Sequence, residues 1–287
     1  MSQNNCGCES SQDYSLKVAN NGIAQLTTGD SDLTGASAIT VLTAGGNGCL
    51  IKSITIKATM QVTKGMIRLF INYGSATSLY REIAIPTTPY LVSTATPQPV
   101  LFTYEYTLMA NFKLQAGGSL LASTQNSENY NIVAESLDWH YPALVQTSPT
   151  PNLVTCCNFE QKTANTGIGT ATSANLNLDG TGPIVNIFTA AAPAISKGSF
   201  IKTITMKALQ CTNPGMIRFY IYNTNKYYLI KEVMIPETTQ SGFEPSYKQI
   251  IEINYYLKAG YSIGVSTQIA QSFAFTAEGY DWAYPIS

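Results

Sequence analysis

A single histidine, His140, is all the imidazole this chain contains. Any serine- or cysteine-based mechanism that needs a general base must run through it. It stands in the run Asp138-Trp139-His140-Tyr141-Pro142, and a second version of that run, Asp281-Trp282-Ala283-Tyr284-Pro285, carries alanine in its place. A catalytic role would leave one version without its base, so packing or surface exposure is the better expectation. Carboxylates are the remaining means of acid–base chemistry, because two acids flanking a glycosidic bond suffice to hydrolyse it. The acids that recur are Glu82 with Glu232, Glu135 with Glu278, and Asp138 with Asp281. Bases recur in step: Lys52 with Lys202, Lys57 with Lys207, Arg68 with Arg218, and Arg81 with Lys231. Matched acids and bases are expected to form exposed cross-strand ion pairs, each worth under about 1 kcal/mol.

Thiols offer little more. Cys6 and Cys8 lie in the polar start, Cys49 and Cys211 at or near strands, and Cys156-Cys157 side by side between the repeats. This spacing is no disulfide framework, and reduced thiols are expected. "CGC" and "CC" could supply four zinc ligands, but they lack the CxxC loop that a tetrahedral site ordinarily uses. No metal or other cofactor is therefore expected. The glycine-rich "AGGNG" and "QAGG" have neither phosphate-loop spacing nor a following helix, and read as turns.

In the closing motif a terminal tryptophan is expected to plug the end of a sandwich with its indole N–H on a carbonyl, while the aspartate bonds turn amides. Asp138-Trp139 and Asp281-Trp282 gripping a sugar ring is the alternative.

These residues recur because the chain does. "GMIRLFI" at 65–71 returns as "GMIRFYI" at 215–221, and Glu82 to Pro86 returns as Glu232 to Pro236, 150 positions on. Beyond that proline the offset is 143, so the first copy has seven more residues between Pro86 and Leu114. The expected organisation is a polar leader over 1–16, a first copy over 17–142, a linker over 143–161 and a second copy over 162–287. Period-two alternation dominates each copy, as in Ile54/Ile56/Ala58, Ile67/Leu69/Ile71 and Phe102/Tyr104/Tyr106/Leu108. Glycine, proline and asparagine clusters punctuate the runs, and no long helical period occurs. About eight strands per copy predict an all-β chain of two tandem antiparallel β-sandwiches of jelly-roll type.

Charged residues make up 11% of the 287 positions, against roughly 25% in an average domain. The net charge of −1 supplies no basic field for nucleic acid. No run approaches the roughly 18 apolar residues of a membrane span, and the first residues lack a signal-peptide pattern. Phe70, Tyr220 and Tyr222 alternate with the apolar set and should point away from the core. With Tyr227 and Tyr228 of "NKYYLI" and Tyr90 of the inserted "PTTPYLVSTATPQPV", they are candidates for a protein interface.

The runs "IKTITMKALQCTNPGMIRFYIYN" and "LKAGYSIGVSTQIAQSFAFTAEGYDW", with their first-copy equivalents, resemble a recurrent β-sandwich module of tailed-bacteriophage virion proteins, including those of crAss-like phages. The resemblance covers both copies and carries over no catalytic residue. It implies an auxiliary, or decoration, capsid protein that binds and bridges major capsid subunits or other virion proteins. Its place would be the virion, assembled in the host cytoplasm, with no enzymatic activity. A head-fibre or tail component, or a carbohydrate- or receptor-binding module with a glycan partner, is the alternative implication.

Overall fold

The computed structural model describes residues 16–88, 102–140, 161–193, 196–239 and 246–283, with the side chains of Leu16, His140 and Gln161 left aside. The leader, most of the linker, Tyr90 and the four cysteines Cys6, Cys8, Cys156 and Cys157 lie outside the described residues. The described residues form strands and no helix. The first copy contributes β1 (Leu16–Leu26), β2 (Ile39–Thr43), β3 (Cys49–Ala58), β4 (Gly65–Tyr73), β5 (Ala76–Ile85), β6 (Glu105–Leu114), β7 (Ser119–Thr124) and β8 (Tyr130–His140). The second contributes β9 (Gln161–Ala171), β10 (Val185–Thr189), β11 (Gly198–Ala208), β12 (Gly215–Tyr222), β13 (Tyr227–Ile235), β14 (Lys248–Leu257), β15 (Ser262–Thr267) and β16 (Phe273–Ala283).

Both copies have one topology. In the first, a sheet ordered β1-β8-β3-β6 faces a sheet ordered β2-β7-β4-β5; in the second, β9-β16-β11-β14 faces β10-β15-β12-β13. All ladder partners are antiparallel, and the first strand pairs with the last, the second with the seventh, the third with the sixth and the fourth with the fifth. That is one long hairpin wrapped into two sheets, the jelly roll. The β-branched runs take these positions because every second side chain then leaves water. Ile54, Ile56, Ile67, Leu69, Leu120 and Ile132 fill the first core, and Ile204, Met206, Ile217, Phe219, Val265 and Phe275 the second. Each such side chain contributes roughly 1.5–3 kcal/mol of transfer free energy.

One irregularity of the edge strand recurs at the same place in both copies. The β3–β6 ladder slips between Ile51 and Ser53, and the β11–β14 ladder between Ile201 and Thr203. Opposite each slip an asparagine takes the left-handed conformation, Asn111 at φ 46° and Asn254 at φ 47°. Asparagine tolerates that region better than most residues, and the bulge bends the edge strand there.

The copies do not stand apart as beads on a linker. The outer face of β1, β8 and β3 of the first copy packs against the flank of the second, where the edge strands β13 and β14 of its two sheets run together. Ile23 and Val133 of the first copy join the hydrophobic cluster of the second. A face meets a flank, so the contact is heterologous: the two copies use different surfaces.

Candidate functional site

The polar groups that the sequence repeats converge on this contact. Lys57 points out of β3, because Ile56 and Ala58 on either side of it point in. Its ammonium lies 3.0 Å from Glu232 Oε2 on β13 of the other copy, donates to the Thr103 carbonyl oxygen at 3.2 Å, and lies 3.4 Å from Glu105 Oε2. Glu232 also accepts from the Thr103 amide at 3.1 Å, the Thr103 hydroxyl at 2.9 Å and Arg218 Nε at 3.1 Å. The side chains of Lys57 and Glu232 are 1% and 0% exposed. Burial pushes the Glu232 carboxyl up, but Lys57 and the donated hydrogen bonds outweigh it and hold the group below the usual carboxylate range.

The equivalent position in the first copy is different in kind. Glu82 stands directly across the ladder from Arg68, 3.0 Å from its Nε, with 38% of its side chain exposed. Glu232 stands across from Arg218 in the same register. The expectation of weak exposed pairs is met only on the acid's side at Arg68–Glu82, where Arg68 is itself buried at 8% exposure, and fails for Glu232, which the first copy covers. Lys57 has no acid opposite it on a neighbouring strand of its own copy apart from Glu105, and its closest partner is across the contact. Both arginines do a second job. Arg68 Nη1 donates to the Asp30 carbonyl oxygen and Arg218 Nη1 to that of Asn175, which pins the loop after each copy's first strand.

Glu135 is the second acid at the contact. Its Oε2 accepts from the Ser53 hydroxyl at 2.8 Å and its Oε1 from the Tyr256 amide of the other copy at 2.9 Å. Burial raises its pKa. A raised carboxyl is what a general acid needs, but both oxygens of Glu135 are engaged and the side chain is buried, so no substrate reaches it. Beside it Asn21 donates to the Tyr255 hydroxyl and the Tyr256 carbonyl oxygen, and accepts from the Lys258 amide at 2.6 Å. Asn131 donates to the Leu229 carbonyl oxygen at 3.2 Å, and Lys226 donates to Gln25 at 2.7 Å.

The closing motif splits in the same way. Asp138 accepts from Asn20 Nδ2 at 3.0 Å and from the Gly45 amide at 3.3 Å, while Asp281 accepts from Asn165 Nδ2 at 2.9 Å and from the Ser199 hydroxyl. Each carboxylate ties its first strand to the turn after the second. Trp282 is buried between the copies, and its indole N–H donates to the Lys17 carbonyl oxygen of the first copy at 3.1 Å. Its cluster includes Ala19 and Leu137 of the first copy with Phe200, Tyr256 and Tyr280 of the second. Gly198, at φ 140°, leaves room for it: a Cβ there would lie 2.6 Å from Ala19 Cβ and 2.8 Å from the indole ring. Trp139 is only half-buried, with the Lys113 ammonium 5.5 Å from its ring centroid. A pair of open Asp-Trp sugar platforms is therefore not what the motif builds, because one tryptophan is closed off inside the chain.

Of the aromatic candidates, Phe70 and Tyr220 do point away from the cores but are 0% exposed. The loop between the first two strands of each copy folds over that face. A Cβ on Gly35 would meet the Phe70 ring at 2.9 Å, and the Tyr220 hydroxyl donates to the Asn177 carbonyl oxygen at 3.3 Å. Alternation identifies the face but cannot reveal a loop lying on it, so these two are removed from any interface. Tyr222 and Tyr227 stack with centroids 4.6 Å apart, half-buried, and Tyr228 lies under the Lys226 ammonium. These three remain at the surface near the contact. Among the described residues no group of three or more His, Cys, Asp or Glu is placed to hold a metal ion.

No family model and no curated protein sequence matches the chain. Solved structures similar to it include the PBSX exported protein XepA, at 7% identity over 92% of this chain and 86% of that one with a TM-score of 0.24. The STIV MCP is similar at 11% identity over 91% and 96%, with a TM-score of 0.25. The tandem CBM22-1–CBM22-2 domain of Paenibacillus barcinonensis Xyn10C is similar at 7% identity over 94% and 93%, with a TM-score of 0.22. Values this low carry no functional conclusion in either direction.

Proposed function

We propose that this chain is a non-enzymatic structural protein of a bacteriophage virion, an auxiliary capsid protein that binds and bridges major capsid subunits. The observation that carries the reading is the use to which the repeated polar residues are put. Glu232, Lys57, Arg218, Glu135 and the two closing aspartates all hold strands, loops or copies together. Their side chains are occupied by the chain itself, which suits a load-carrying part and not a site of turnover. The resemblance of the strand runs to virion modules supports the same reading.

Low charge and many small polar side chains fit stable packing against neighbouring subunits of a shell. A shell repeats one surface at fixed spacing, and a bivalent binder gains avidity when its two modules match that spacing. Here the separation of the modules is set by the buried face-to-flank contact and not by the linker, so the two sites on the shell would be bridged by a stiff body. Particles assembled without this protein are expected to lose resistance to heat and to osmotic shock. Equal survival of particles with and without it would contradict the proposal.

A further inference from the structure

The contact between the copies is heterologous, and because the copies are homologous each of its two surfaces is present a second time. The face that the first copy offers through β1, β8 and β3 exists again on the second copy as β9, β16 and β11. The flank that the second copy offers through β13 and β14 exists again on the first copy as β5 and β6. Inside the chain one face and one flank cover each other, together with the Gly198 and Trp282 ends of β11 and β16 and with Glu105 of β6; the rest of the second copy's face and of the first copy's flank is open at opposite ends. We propose that these open surfaces bind each other between chains, so that a second copy of this same chain docks head to tail and repeats the internal contact.

Exposure marks the open surfaces. Ile23 is packed against the second copy, and its equivalent Ile168 is 76% exposed. Leu229 is 0% exposed at the internal flank, and its equivalent Leu79 is 39% exposed. Lys57 is buried on the internal contact, and its equivalent Lys207 is exposed. The key charges also recur in complementary places. Glu82 is held by Arg68 Nε as Glu232 is held by Arg218 Nε, and Lys207 occupies the place of Lys57. Docking the open flank on the open face brings Glu82 of one chain to Lys207 of the next, the counterpart of Glu232 and Lys57. The edge strands β5 and β6 would be covered at the same time, as β13 and β14 already are, which removes an exposed sheet edge.

The open surfaces are not identical to the closed ones. Thr166 and Ala274 replace Asn21 and Asn131, and Lys248 replaces Glu105 opposite the place that Arg81 would take. Several hydrogen bonds are lost, and the two ion pairs that Glu105 makes with Lys231 and Lys57 become like-charge neighbours, so the contact between chains is weaker than the one within the chain and reversible. Repeated head to tail, it yields a ring where the rotation closes and an open filament where it does not.

The test is sedimentation velocity of the full chain across a dilution series up to about 1 mM. Wild type is expected to show mass growing with concentration. Ile168→Lys, which spoils the face, and Leu79→Lys, which spoils the flank, are each expected to weaken association about tenfold or more by placing a charge in the contact. Both positions are exposed, and unchanged thermal unfolding of each variant checks that the fold is kept. Mixing the two variants is the decisive arm: the intact flank of Ile168→Lys fits the intact face of Leu79→Lys, so the mixture forms dimers and nothing larger. A chain monomeric at every concentration overturns the proposal. So does a mixture that forms no dimer, or association that survives Leu79→Lys and is lost only in Ile168→Lys, which would mean a face-to-face pair.

Discussion

Glu232→Ala is expected to destabilise the protein by about 3–5 kcal/mol, whereas Glu82→Ala is expected to cost clearly less, because Glu82 is 38% exposed although its partner Arg68 is buried. The two acids have similar sequence surroundings, the same ladder position and equivalent arginine partners, Arg68 and Arg218. They differ in burial: the first copy seals Glu232 away from water, and its removal strips the buried Lys57 and Arg218 of their shared counter-ion. Removing one member of a buried pair costs far more than the pair contributes, since the remaining charge stays desolvated. For a chain of this size the loss corresponds to a drop in Tm on the order of 10 °C. Thermal unfolding of the two variants beside wild type checks the contrast, and equal losses would contradict it. The pH dependence carries a sign as well. Glu232 has its folded pKa below its unfolded one, so its contribution is complete above the unfolded value and lost as pH falls through the folded value. Glu232→Ala should therefore flatten the acid limb of the stability profile. Glu135, with its pKa raised, acts in the opposite direction and is untouched by the change.

Trp282→Ala is the second large effect, expected at about 3–5 kcal/mol, with Trp139→Ala well below it. Trp282 fills the space between Gly198, Ala19 and Tyr256, its ring edge-on to Tyr256 with centroids 5.5 Å apart. Its loss opens a cavity at the contact and removes the indole hydrogen bond to the Lys17 carbonyl oxygen. Trp139 occupies the matching place on the first copy, where no other copy of the module covers it, and keeps one side toward solvent. Chemical denaturation monitored by circular dichroism measures both. For Trp282→Ala it should also show the second copy loosening from the first as a broadened or split transition, because Trp282 helps to couple them.

Much of the architecture was legible in the sequence because β-sandwiches write their core as period-two alternation. Ile54, Ile56, Ile67 and Leu69 are all fully buried, as their spacing requires. The doubling was legible for a similar reason, since two copies that build one topology keep the same strand runs. Strand order was not, because pairing the first strand with the eighth is a long-range choice that no local pattern encodes. Alternation misled where a second layer of chain intervenes. Phe102 and Tyr106 share a parity with Leu108, yet Phe102 is 50% exposed and Tyr106 is also exposed, while Thr103, of the opposite parity, is buried against Glu232. Phe70 and Tyr220 were likewise assigned correctly to the far face and wrongly to a surface.

The contact itself left only an indirect trace. Each of its polar residues has a counterpart in the other copy, which makes an equal role in both the natural reading. What separates Lys57 from Lys207, or Glu232 from Glu82, is not residue type but which copy's face meets which copy's flank. One signal was available: among the positions where the copies diverge, Asn21 against Thr166 and Asn131 against Ala274 lie on the face that the first copy buries and the second leaves open, and Glu105 against Lys248 lies on the strand beside it. A module under two different packing demands drifts first where those demands differ.

The central claim, a rigid pair of jelly rolls serving a phage shell without chemistry, is tested most directly by cryo-electron microscopy of purified particles. The account predicts repeated density on the capsid exterior into which both copies fit together, first-copy face on second-copy flank, with major capsid subunits contacted on both sides. Particles whose shell carries no such density, or two lobes held apart by an extended linker, would contradict it.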